Sequence, residues 1–241
     1  MNEPAYKIAG TVEGIADGET IYLQEVQGRD LIKLDSAVIK NGTFTFNGRQ
    51  DSAANRYITY MTDNARLMTD LFLENGNINV VLAEESRATG TPNNDIYQAY
   101  KNEIQPLNKQ YGDLYKQYRA EGTTDEQKAE LEKQMEEIDN KMNALTFSTI
   151  ENNITNPVGI QLWPGNSYSM ELEQLQALAA KVPAEFKTVP SIEKLLNRIE
   201  VLAKTAVGQK FTDFTMNDPE GNPVKLSDII AKNKYTLIDF W

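Results

Sequence analysis

The sequence predicts an α+β chain in three parts. An antiparallel β-sandwich or partly open barrel occupies residues 1–90, a helical segment with a helical hairpin and further helices occupies 91–206, and residues 207–241 begin an α/β domain that stays incomplete. Three observations predict this. Residues 5–90 alternate apolar and polar positions and turn at short intervals, as half-buried strands do. Beyond Pro92 apolar residues recur at steps of three and four, the helical period. From Val207 an aromatic lead-in, a tight turn and a short helix precede a continuous apolar run, 235–241, of the kind found in a central parallel strand.

Tyr6, Ile8 and Val12 open the first strand, and Gly14, Asp17 and Gly18 break it. Strands at 20–26 and 31–39 follow. Asn41-Gly42 is a hairpin signal, with Phe44-Thr45-Phe46 alternating after it. Segments 57–61, 67–73 and 78–82 continue the series, Asn75-Gly76-Asn77 marks another turn, and a short strand at 87–89 closes it. Seven or eight short strands in so few residues fit a sandwich or a partly open barrel.

Thr91-Pro92 starts the helical segment, because proline suits the first helical position. Ile96, Tyr100, Ile104, Leu107, Tyr111, Leu114 and Tyr118 form its apolar stripe, and Pro106 predicts a kink or break near Gln105. Gly122 ends this helix, and Thr124 with Gln127 offers a capping box for the next. Leu131, Met135, Ile138, Met142 and Leu145 give the second helix a heptad-like seam, so the two helices pair as an antiparallel hairpin. A piece starting at Pro157 stops at Trp163-Pro164-Gly165. Ser169 caps a helix over 170–181, and Ser191 caps another over 192–205 after Pro190.

The chain is 40% hydrophobic and 24% charged, a globular balance, with a net charge of −11 that disfavours nucleic acid. No apolar run approaches the roughly 18 residues of a membrane span. Cysteine and histidine are both absent, which excludes in this chain a thiol nucleophile, a disulfide, a Cys/His zinc site and imidazole acid–base chemistry. Asp218, Glu220, Asn222 and Asp228 lack calcium-loop spacing and read as turn residues, so neither a metal nor another cofactor is expected. The tyrosines at 97, 100, 111, 115 and 118 read as a helix seam with hydroxyls reaching solvent. Glu126, Glu130, Glu132, Glu136 and Glu137 read as a solvated face paired with Lys128, Lys133 and Lys141.

The final segment resembles a known family. Gly208, Phe211, Asp213 and Phe214, the turn at 218–222, Leu226-Ser227-Asp228 and the terminal Leu237-Ile238-Asp239-Phe240-Trp241 are similar to the opening of the thioredoxin-like domain of envelope-bound thiol-disulfide oxidoreductases and their peroxiredoxin-like relatives. Ile8-x-Gly-x-Val-x-Gly14, Gly18-x-x-Ile-Tyr-Leu23 and Val38-Ile-x-Asn-Gly-x-Phe-x-Phe46 resemble the β-rich N-terminal domain that such proteins carry in Bacteroides-type bacteria.

The resemblance implies that the chain is a fragment, stopping in mid-strand before a Cys-x-x-Cys motif. It implies a parent that is exported and periplasmic or held at the cell envelope, lipid-anchored as a lipoprotein, with its leader removed. Residues 1–206 would then position protein thiol or disulfide partners, or form a homodimer, and the chain alone would be inactive. Asp239 is the implied auxiliary proton acceptor of the intact parent, buried beneath its dithiol, and Trp241 the tryptophan packed nearby. Two other readings stay open: a peroxiredoxin-like parent, and a non-catalytic envelope module that binds peptide or glycan.

Overall fold

A computed structural model describes residues 5–239. Eight strands come first: β1 (Tyr6–Val12), β2 (Thr20–Gln27), β3 (Asp30–Val38), β4 (Thr43–Gly48), β5 (Ala54–Met61), β6 (Arg66–Leu73), β7 (Gly76–Leu82) and β8 (Arg87–Thr89). They form two four-stranded sheets, ordered β4-β1-β7-β8 and β3-β2-β5-β6. The fold is α+β, and its N-terminal part is an antiparallel sandwich with one exception. Strands β1 and β7 pair in parallel, Ile8 opposite Ile78 and Val12 opposite Leu82. A parallel neighbour needs a long crossover, and here the chain builds all of the second sheet before returning to β1.

Alternation fills the space between the sheets. Ile8, Phe44, Phe46, Ile78 and Leu82 meet Ile21, Leu23, Ile58 and Leu71, all nearly sealed from solvent. Gly10 interrupts the inward row of β1 because the Phe44 ring occupies its place, so that an added Cβ would lie 2.1 Å from that ring. The Asn41-Gly42 turn does not join neighbours of one sheet. It carries the chain from β3 to β4, across the sandwich, with Asn41 and Gly42 both at positive φ. The Asp17 carboxylate accepts from the amides of Asn41 (2.6 Å) and Gly42 (2.9 Å) and holds this crossing.

Helix α1 (Pro92–Arg119) runs antiparallel to α2 (Asp125–Asn153), as the Tyr100–Thr146 and Tyr118–Glu132 side-chain hydrogen bonds register. Thr124 and Gln127 form the expected capping box. Four corrections concern helix boundaries. Helix α1 continues through Pro106 without a break, and α3 (Pro157–Asn166) runs past Pro164. Glu171 precedes α4 (Leu172–Lys181), and Val189 precedes α5 (Pro190–Thr205), so neither Ser169 nor Ser191 is the cap. Proline suits the first helical position of α5, because its fixed φ is already helical and its missing amide hydrogen would have no helical partner there. Around Trp163, Ile150, Leu175, Leu178, Ile192 and Leu195 these helices bury a second core.

The C-terminal segment makes a small unit of its own: the hairpin β9 (Thr215–Asn217) and β10 (Pro223–Lys225), then α6 (Leu226–Ile230). The expected strand at 235–241 is not formed over its described residues. Tyr235 and Leu237 are 85% and 94% exposed, and no neighbouring strand offers them hydrogen bonds. An apolar run becomes a central strand only when a sheet surrounds it.

Candidate functional site

The site lies where α1 crosses the rim of the sandwich. Strand β6 is one edge of its sheet and β8 one edge of the other, and an unpaired edge leaves backbone donors and acceptors open. The first turns of α1 close part of both. Asn94 accepts from the Phe72 amide at 2.9 Å and donates to the Phe72 carbonyl at 2.7 Å, so one side chain stands where a neighbouring strand would. Gln98 accepts from the Ala88 amide on β8 at 3.0 Å. Asn93 donates through both its amide and its side chain to Glu74.

Two residues further back along β6, Asp70 faces α1. Period-two alternation sets this, because Asp70 shares the outer face of the sheet with Phe72 and is in register with Tyr57. Its carboxylate accepts from the Tyr97 hydroxyl at 2.6 Å and from the Lys101 ammonium at 3.2 Å, and Lys101 also donates to the Asp70 carbonyl. Lys101 is almost fully buried and lies 4.7 Å from the centre of the Tyr97 ring, which packs edge-on against Phe72. Burial and the Asp70 charge push the Tyr97 phenol far above the usual tyrosine range, and the same two causes raise Tyr57. A buried charge is tolerated only when paired and hydrogen-bonded, and each of these groups has its partner.

Beside this cluster opens a cleft of about 850 Å³. Its floor is Tyr57, Met68 and Asp70, one wall is Lys101, Asn102, Gln105 and Pro106 of α1, and the other is the β7–β8 turn at Glu84, Glu85 and Ser86. Pro106 has no amide hydrogen, so the Asn102 carbonyl one turn earlier loses its helical partner at the wall of the cleft. The arrangement suits binding. It offers hydrogen-bonding groups, charges and partly apolar walls.

Apart from Tyr97, the candidate residues singled out from sequence lie elsewhere. Asp239 is exposed on the C-terminal unit, beside a shallow apolar groove lined by Phe214, Val224, Leu226 and Ile238. The burial that the resemblance implies for it concerns the intact parent only. Trp241 lies outside the described residues. Asp218 closes its turn by accepting from the Asn222 amide at 2.7 Å, and those hydrogen bonds hold its carboxyl below the usual range. Tyr100 and Tyr118 join the helical seam as expected, whereas Tyr97 turns to the sheet. The acidic face of α2 is exposed, and Lys128 lies 5.9 Å from the Tyr118 ring centre with no ion pair among the described residues.

Sequence reasoning missed Asn94, Gln98 and Lys101, and a signal was present. With Ile104 they follow one another at helical steps, so polar residues occupy the buried stripe of α1. Polar groups at buried positions require partners on the facing surface.

Residues 6–97 match the family model described as "Domain of unknown function (DUF4369)". The match runs beyond β8 into the first turns of α1 and so takes in Asn94 and Tyr97, whose hydrogen bonds make those turns part of the sandwich. The comparison with curated proteins found no match, and neither did the comparison with solved structures.

Proposed function

We propose that residues 1–206 form the part that positions partners, or dimerises, in an exported, envelope-held thiol-disulfide oxidoreductase whose redox motif is not in this sequence. The observation that supports this reading is the C-terminal unit. Its lead-in, hairpin and short helix stand in the order that the resemblance implies. The Asp213 carboxylate accepts from the Ser227 amide at 2.9 Å at the start of α6, which ties the Phe-x-Asp-Phe lead-in to the Leu-Ser-Asp helix start. Met216, Val224 and Ile229 leave an apolar surface open beside them, of the kind a larger sheet would cover. Partner positioning falls to the sandwich and helical arm, which present the cleft.

Thiol titration of the gene product expressed through the codons that follow Trp241 tests the reading. Two thiols are expected, one of them ionising well below the ordinary thiol range. A single acidic thiol would point to a peroxiredoxin-like parent, and no thiol would overturn the redox reading.

The cleft itself favours a second reading, a non-catalytic envelope module. Such a module needs a shaped groove with hydrogen-bonding groups, and the rim of the sandwich supplies one.

A further inference from the structure

The cleft contains a stretch of open sheet edge. In β6 the backbone groups of Phe72, Asp70, Met68 and Arg66 point away from β5, because alternate residues of an antiparallel edge strand face outward. Phe72 is closed by Asn94, and the Asp70 carbonyl is held by Lys101. Beyond them the helix has moved off the sheet. Met68 is 41% exposed on the floor of the cleft, and its outward amide and carbonyl have no partner among the described residues.

We infer that this edge takes an extended peptide, which adds to β6 as a further strand alongside Arg66–Asp70 and carries a lysine or arginine. This rests on the reading of the sandwich as a partner-holding module. Three features carry it. First, the fold already performs the operation once, since the Asn94 amide supplies the donor and acceptor that an added strand would supply at Phe72. Second, a strand rises about 3.4 Å per residue with alternate side chains on opposite faces, so every second side chain would enter the cleft. Its volume of about 850 Å³ is enough for two or three of them. Third, the charges in the cleft are unequally matched. Lys101 is committed to Asp70, and Lys109 to Asp113 at 2.9 Å. Glu84 and Glu85 on the opposite wall are exposed and unpaired among the described residues. With the Asn102 carbonyl freed by Pro106, they form an acceptor-rich pocket for a cationic side chain. Main-chain pairing gives affinity and the alternate side chains give selectivity, as in other strand-addition sites.

The test uses this chain, isotope-labelled, and a capped nonapeptide of alternating valine and threonine with a central lysine. Amide resonances of 66–70 and 84–86 are expected to shift on titration. Replacing the central lysine by glutamate weakens binding, and methylating the peptide nitrogens that face β6 weakens it about tenfold or more without touching the protein. Glu84→Gln with Glu85→Gln lowers affinity for the lysine peptide about threefold and reduces its preference over the glutamate peptide. Equal binding of the methylated peptide overturns strand addition, and so does self-association through β6 with no peptide-induced shift. Shifts at 66–70 with equal affinity for the lysine and glutamate peptides overturn the cationic assignment. Each of these results leaves the thiol titration of the longer gene product unchanged, so failure here and failure of the redox reading are distinguishable.

Discussion

The Asn94 side chain on α1 holds both backbone groups of Phe72 on β6, accepting at 2.9 Å and donating at 2.7 Å, with Asn94 only 1% exposed. A helix thereby seals a sheet edge with one residue, and the same residue accounts for where the seal ends and the cleft begins. Asn94→Ala strands a buried amide and a buried carbonyl, at about 1–3 kcal/mol each when nothing replaces the partner. A loss of about 2–4 kcal/mol in urea unfolding is expected, with the slope unchanged. An effect below about 0.5 kcal/mol would mean that water takes over both groups.

Asp70 and Lys101 form the second link between α1 and β6, at 3.2 Å with side chains 27% and 11% exposed. Lys101→Met leaves the carboxylate with Tyr97 alone. It is expected to cost about 1–3 kcal/mol, below the loss for a fully buried pair because Asp70 is partly hydrated. Adding Asp70→Asn recovers part of that loss, and a double-mutant cycle should give a coupling of about 1–2 kcal/mol. Additive effects would show that the two charges do not interact.

Tyr97 makes the fold sensitive to alkali. Burial first, and the Asp70 charge second, raise its phenol above the ordinary value of 10.0. The unfolded chain therefore loses this proton at a lower pH than the folded one. The stabilisation is complete below pH 10 and declines as pH rises above it. Denaturant midpoints taken across that range should fall for the native chain and fall less for Tyr97→Phe. Tyr57 and Tyr6, also raised, contribute in the same direction and leave a residual slope.

Asp17 acts at the other end of the scale. The amides of Gly42 and Asn41 hold its carboxyl below the usual 3.8. Its contribution is present above that value and is lost as pH falls through its folded pKa. Asp17→Ala is expected to be less stable than the native chain at neutral pH, and the difference should shrink towards zero in acid. A difference that persists after the carboxyl is protonated would assign the effect to the loop backbone instead of the charge.

The strands and the helical hairpin were legible because each carries its own periodicity. Alternation at Tyr6–Val12 and the four-and-three steps at Leu131, Met135 and Ile138 specify which face is buried whatever the partner turns out to be. The capping box at Thr124 was legible for the same reason, since donor and acceptor lie three residues apart. Local patterning thus determined the α+β class, the order of the elements and most of their limits. It could not specify which strands pair, so the parallel contact of β1 with β7 and the crossing of Asn41-Gly42 between sheets emerged only from packing. Nor could it settle an apolar run such as 235–239, whose strand character depends on neighbours. Beyond the polar stripe that Asn94, Gln98 and Lys101 form at helical steps on α1, the pairings of the candidate site belong to the tertiary structure. Asn94, Lys101 and Asp70 are ordinary polar residues in sequence, 24 and 31 positions separating Asp70 from the two on α1. They become a site because folding lays a helix against a sheet edge, where unpaired backbone groups and a buried charge must each find a partner.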